Sequence, residues 1–172
     1  MGRDKRNEAV QDHYTKLIRS FMETPAWRAL GSSAQALYPW LKLEWNGPQN
    51  NNNGKIRLSV RQAAAYMGVT VDTAARAFQD LQAKGFIHIT EAARLGVGGE
   101  AKGSSYEITE ITMPHGDSSA GRRLYLKWTN GQDFPVVKVA ANNPEGRNKT
   151  KACHGNLDSN VTNFKTAKKN SS

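Results

Sequence analysis

The sequence predicts a mainly α-helical domain with a small β-ribbon, and three observations carry that expectation. Apolar residues recur at three- and four-residue steps through the first part of the chain, the period of one helix face. Two helix starts with capping chemistry follow each other closely, each closed by a glycine. Beyond them, two β-prone segments flank a glycine-rich stretch, which predicts a hairpin with a long tip.

Taken in order, Val10, Tyr14, Leu17, Ile18, Phe21 and Met22 lie on one side of a helix predicted over 8–22. Its apolar face suits either packing against the rest of the chain or pairing with a second copy in a homodimer. Thr24 before Pro25 has N-cap and N1 character and starts a short turn that Gly31 ends. Ser32 or Ser33 is expected to cap a helix over about 33–45, with Leu37, Trp40 and Leu41 inward and Pro39 near its first turn or kinking it. Tryptophan and tyrosine at this spacing predict core, so Trp27, Tyr38, Trp40 and Trp45 are assigned to packing rather than stacking on a ligand. Asn50 to Asn53, between Gly47-Pro48 and Gly54, read as an exposed loop.

Lys55-Ile56-Arg57-Leu58 alternates and suits a small strand. Ser59 with Gln62 three residues on forms a capping box for a helix over 60–67 that stops at Gly68. Thr70 caps a longer helix reaching Lys84 and ending at Gly85, with Ala74, Ala77, Phe78 and Leu81 as its core stripe. Val71, Asp72, Thr73, Ala75, Arg76 and Gln79 then face outward. Residues 86–90 and 106–109 pair across a tip holding Gly96, Gly98, Gly99 and Gly103. Helix, strand, helix, tight turn, helix, ribbon is the order of a winged helix-turn-helix domain, here 32–112. It is preceded by a helical extension, 1–31, and followed by an extension, 113–140.

Charge narrows the partner. Lys and Arg number 24 against 15 Asp and Glu in 172 residues, a net charge of +9 and a pI near 9.8. Such a balance favours a polyanion, nucleic acid first. Six basic residues (Arg147, Lys149, Lys151, Lys165, Lys168, Lys169) and only two acidic ones fall in 141–172, with seven Asn. That composition predicts a disordered basic tail, which either adds sequence-independent attraction to phosphates or only solubilises the chain.

Several classes are expected to be absent. No run of 18 apolar residues occurs and the N-terminus is charged, so no membrane span or export signal is expected and the location is expected to be cytoplasmic. One cysteine, Cys153, forms no internal disulfide, and the widely spaced His13, His88, His115 and His154 supply no metal-ligand cluster. The stretch from Gly96 to Gly99 lacks the Lys-Ser or Lys-Thr pair of a phosphate loop. No nucleophile-and-base or paired-carboxylate spacing points to an enzyme, and no cofactor is expected.

The stretch from Leu58 to Ile87 resembles the helix-turn-helix of GntR-type and related bacterial winged-helix regulators, with Gly68, Val69, Thr70, Gly85 and Ile87 in the corresponding places. Pro25-Ala-Trp-Arg-Ala-Leu30 and Ser33-Ala-Gln-Ala-Leu-Tyr38 also resemble segments ahead of the winged helix in small uncharacterised bacterial or mobile-element helix-turn-helix proteins. The likeness spans about 21–112 and includes no effector-binding domain. It implies double-stranded DNA binding, with transcriptional regulation first and an accessory role in plasmid or phage replication as the alternative. A winged-helix module that binds protein is the reading from a different class. On the DNA reading, the contact residues are Arg61, Thr70, Val71, Asp72, Thr73, Arg76 and Gln79 on the helix pair, and Arg94 and Lys102 on the ribbon. Arg76 suits a guanine edge or a phosphate, Gln79 an adenine, and Thr70 and Thr73 phosphate at a helix N-terminus. The competing assignment for Arg76 is a surface ion pair with Asp80, one turn on.

Overall fold

In the computed structural model, residues 14–95, 101–114 and 120–138 are described, and all of them belong to one unit of the chain, 1–139. The tail expected over 141–172 and the tip around 96–100 lie outside the described residues. The described elements are α1 (Arg19–Met22), α2 (Pro25–Arg28), α3 (Ser32–Leu43), α4 (Val60–Met67), α5 (Val71–Ala83), β1 (Ile87–Glu91), β2 (Arg94–Leu95), β3 (Ala101–Lys102), β4 (Ser105–Ile108) and a 3₁₀ turn, Leu124–Leu126.

The starts of α2, α4 and α5 follow from local side-chain hydrogen bonds. Thr24 accepts from the Trp27 amide through Oγ1, with Pro25 at N1, as the sequence predicts. For α3 the cap is Gly31, not Ser32 or Ser33. The Gly31 N–H is taken by Asp80 Oδ2 of α5 at 2.8 Å, a bond that draws the two helices together and starts α3 a residue early. Pro39 sits well inside α3 rather than in its first turn.

The helix predicted over 8–22 is reduced, among the described residues, to the single turn of α1. Residues 14–18 are not helical, and Ile18 is extended at φ −89° and ψ 134°. The reason is tertiary. Lys42 of α3 reaches out and donates to the Lys16 carbonyl at 2.8 Å, holding that segment as open chain along the end of α3. Val10 lies outside the described residues; of the described part of the predicted apolar face only Phe21 is buried, and Tyr14, Leu17, Ile18 and Met22 are exposed.

The three longer helices pack on one another, with Leu37 and Leu41 of α3, Ala63 and Ala64 of α4, and Ala74, Ala77, Phe78 and Leu81 of α5 all buried. Below them β1 pairs antiparallel with β4, Ile87 opposite Ile108 and Ile89 opposite Tyr106. On the other side of β4, Ile56 bridges to Tyr106, so the segment after the asparagine run acts as a third, minimal strand. A bulge between Ile89 and Glu91 brings Glu91 opposite Ser105.

Residues of 14–31 and of 120–138 also enter this core. Phe21 lies 5.1 Å from the Trp27 ring, 5.2 Å from Tyr38, 5.4 Å from Phe86 and 5.0 Å from Tyr125. The Phe86 and Tyr125 rings stack nearly parallel at 5.1 Å. Residues 120–138 strap the end of α5: the Phe134 amide donates to the Ala83 carbonyl, the Val137 amide to Gln82 Oε1, and Arg122 pairs with the buried Glu107 on β4. Lys84 lies over the Trp128 ring at 4.7 Å while bonding Asp133. Gly85 closes α5 at φ +77°, and a Cβ there would come within 2.8 Å of Phe134. That position therefore needs glycine both for its backbone and for the strap's approach.

The asparagine run is not an exposed loop. Asn53 is fully buried; its Nδ2 faces the carbonyls of Ile108, Ile111 and Thr112, and its Oδ1 accepts from the Gly54 and Ile108 amides. Asn51 receives Trp45 Nε1 and Asn52 bonds both Asn46 and Glu44, so the run also clamps the end of α3. Truncation of Asn53 orphans several buried backbone groups. Asn53→Ala is expected to lower stability by about 2–4 kcal/mol in urea unfolding, against about 0.5 kcal/mol or less for Asn50→Ala at its exposed neighbour.

A second polar network ties α3 to the chain after β4. Tyr38 donates to Glu110 Oε2 at 2.7 Å, and Lys42 to the same oxygen at 2.8 Å. Burial, then the negative Glu110, raise the Tyr38 phenol well above its usual 10.0, and burial also raises Tyr106 and Tyr125. The folded chain thus holds phenolic protons that the unfolded chain gives up first. Stability from these groups is complete below about pH 10 and falls as pH rises beyond it. Urea midpoints measured from pH 8 to 11.5 are expected to drop above pH 10, and the drop to become smaller in Tyr38→Phe.

Candidate nucleic-acid interface

The helix pair α4 and α5 is built from caps on both sides of one tight turn. Ser59 Oγ accepts from the Gln62 amide at 3.2 Å while Gln62 Oε1 accepts from the Ser59 amide at 3.1 Å, the reciprocal box the sequence predicts. Gly68 turns left-handed at φ 67°, the Val69 amide returns to the Ala64 carbonyl, and the Gly68 amide to Ala65, satisfying two end carbonyls of α4. Thr70 Oγ1 then accepts from the Thr73 amide at 3.2 Å and α5 begins. Gly85 repeats the glycine stop, with Phe86 bonding Leu81 and Gly85 bonding Gln82.

With the core stripe turned inward, the opposite side of α5 faces solvent. Arg61, Thr70, Val71, Asp72 and Arg76 are exposed, and Thr73 and Gln79 are half-buried. The Thr70 and Thr73 hydroxyls lie 2.9 Å apart and bond each other, so the cap already uses part of the capacity expected for an outside acceptor. Arg76 does not pair with Asp80, whose carboxylate is spent on Gly31. Among the described residues it makes no ion pair and its guanidinium is open to a partner. Asp72, one turn before it, favours the helix N-terminus and dilutes the positive charge of this face. The face is accordingly mixed: two apolar residues, Val71 and Ala75, two hydroxyls, one carboxylate, one amide and one guanidinium. Such a set offers hydrogen-bonding groups and apolar contact more than it gathers bulk charge.

The ribbon carries the positive groups. Lys102 of β3 lies 3.6 Å from Glu91 Oε1, and Arg94 stands opposite Lys102 in the β2–β3 register. Arg57, which sequence reasoning left as part of a strand, joins them: its Nη2 lies 3.7 Å from Glu91 Oε2 and its Nε donates to Ser105 Oγ at 3.3 Å. The alternation in residues 55–58 held the signal, because Ile56 turned to the core leaves Arg57 on the solvent side. Its pairing with Ser105 and Glu91 depends on the register across β4 and on the bulge, which no local pattern states. His88 is exposed on the same ribbon, opposite Glu107.

Trp40 departs from its core assignment. It is 37% exposed and packs against Tyr66 of α4, itself 46% exposed, at a centroid distance of 4.9 Å. Trp27 and Tyr38 are buried as predicted, and Trp45 is half-buried against the core. Among the described residues no group of three or more His, Cys, Asp or Glu is placed to hold a metal ion, and no helix is long and apolar enough to cross a membrane. Comparison with protein-family models, with curated proteins and with solved structures finds no match to this chain.

The cap and the outward face separate stability from recognition. Thr70→Ala is expected to cost about 1 kcal/mol in denaturant unfolding through loss of the cap. Arg61→Ala and Arg76→Ala are expected to stay within about 0.5 kcal/mol of the parent, because neither side chain is buried or paired.

Proposed function

We propose that this chain is a winged helix-turn-helix protein that binds double-stranded DNA, with α5 in the major groove, the β1–β4 ribbon along the backbone, and transcriptional regulation as its role. The observation that carries the reading is the open, unpaired Arg76 on the exposed side of a helix whose other side is wholly committed to core. A guanidinium so placed can meet guanine O6 and N7 together, and the exposed Val71 at the start of the helix suits a thymine methyl. The order of elements, α3, a short strand, α4, a tight turn, α5 and a ribbon, supports the same docking. The chain's net charge of +9 supports attraction to phosphate at the encounter.

A protein-binding role is the second reading, favoured by the exposed Trp40–Tyr66 pair and by Asp72 on the outward face. Salt separates the two, since phosphate contacts release counterions and a mainly apolar protein contact does not. Selection from a random duplex pool is expected to yield a defined site. Arg76→Ala is then expected to lose about 1–3 kcal/mol at one base pair of that site and little at the others. Uniform weakening across all duplexes identifies Arg76 as a phosphate contact; failure to retain duplex even in dilute buffer overturns the reading.

A further inference from the structure

Four segments distant in sequence meet on the solvent side of the ribbon. Ile56 stands opposite Tyr106, so in antiparallel pairing the next residue, Arg57, stands beside Ser105. Ser105 stands opposite Glu91 because the bulge at Thr90 removes one residue from the register. Arg57, Ser105 and Glu91 thus form one cross-strand row, and Lys102 reaches into it from β3. The Glu91 carboxylate lies 3.7 Å from Arg57, 3.6 Å from Lys102 and 3.5 Å from the Ser105 hydroxyl. Ser105 is buried at 2% exposure and so is fixed in place, whereas Arg57, Lys102 and Glu91 keep between a third and just over half of their side-chain surface in water.

Two cations and a hydroxyl converging on two oxygens are the donor set that a phosphodiester takes. We infer that the Arg57–Lys102–Ser105 seat is a backbone-phosphate site and that Glu91 occupies it as an internal stand-in, which a nucleic-acid phosphate displaces on binding. The inference rests on the duplex-binding reading above. The ion pairs to Arg57 and Lys102 are long and water-exposed, so each of them is weak and open to exchange with an external anion. Glu91 also sets selectivity: a lone anion gains little by displacing it, while a polyanion anchored through α5 brings the phosphate at high local concentration. Glu91 thereby offsets one of the two positive charges of the seat until α5 has engaged its site.

The test compares the full chain with Glu91→Gln, Arg57→Ala and the double variant, measuring binding to a short duplex across a salt series. Glutamine keeps an oxygen for Arg57 and Lys102 but removes the charge. Glu91→Gln is expected to bind about three- to tenfold more tightly, with log affinity falling more steeply against log salt by up to about one unit. Arg57→Ala is expected to weaken binding to all sequences alike, and to cancel the gain when combined with Glu91→Gln. Unfolding midpoints close to the parent show that the ribbon is intact. Parent binding with no gain in Glu91→Gln, or a gain that persists without Arg57, overturns the seat while leaving the duplex reading standing. Absence of duplex binding by every form at low salt overturns the duplex reading and the seat together.

Discussion

The arrangement of the ribbon depends on one buried amide. Asn53 has no exposed surface, and its side chain stands where a strand neighbour's backbone would otherwise be, bonding amides and carbonyls of residues 54, 108, 111 and 112. Ile108, Ile111 and Thr112 lie where β4 ends, and Gly54, Ile108 and Ile111 are buried. An apolar side chain there leaves these backbone groups unpaired, and a carboxylate has no proton to give the three facing carbonyls. Because Asn53 pins the chain three residues before Ile56, it also sets the bridge to Tyr106 and, through it, the placement of Arg57 beside Ser105.

Around that point the fold is held by two kinds of contact. Rings from α1, α2, α3, the residues after α5 and the 3₁₀ turn share one aromatic cluster, which makes chain on both sides of the helix pair part of a single core. The Tyr38–Glu110–Lys42 network lies beside it, and its three groups satisfy one another. A buried ion pair of this kind contributes little net stability over an apolar replacement, but breaking one partner is costly. Its effect is positional: Lys42 directs the segment at Lys16, and Glu110 holds the chain after β4 against α3.

On the proposed duplex-binding reading, the two candidate surfaces would divide the physical tasks of recognition. The side of α5 is chemically varied and nearly neutral, with a carboxylate one turn from its arginine, and offers donors, an acceptor and an apolar contact. The ribbon offers cations around a fixed hydroxyl, a set that senses charge without discriminating bases. Weak, exposed ion pairs to Glu91 offset part of that charge in the free chain, and in a polyelectrolyte's field such pairs are easily lost.

Local chemistry in the sequence determined the helices and their ends. The Ser59–Gln62 box, the Thr24 and Thr70 caps, and the left-handed glycines at 68 and 85 each involve residues within a few positions of one another, and the core stripe of α5 follows from period alone. Tertiary structure decided what distant residues do. Residues 14–18 carry a helical pattern but are drawn out by Lys42; Gly31 replaces the serines as a cap because Asp80 reaches it; Asn53 is polar yet buried because β4 supplies its partners; Trp40 has core spacing yet lies at the surface beside Tyr66. Arg76 was legible as outward from periodicity, whereas its freedom from Asp80 was not, since the competing partner is 49 positions away from that carboxylate. The row of Arg57, Ser105 and Glu91 was hidden for the same reason. Strand register and a one-residue bulge are decided by burial on the opposite face of the sheet, and a single sequence states no register until the chain has folded.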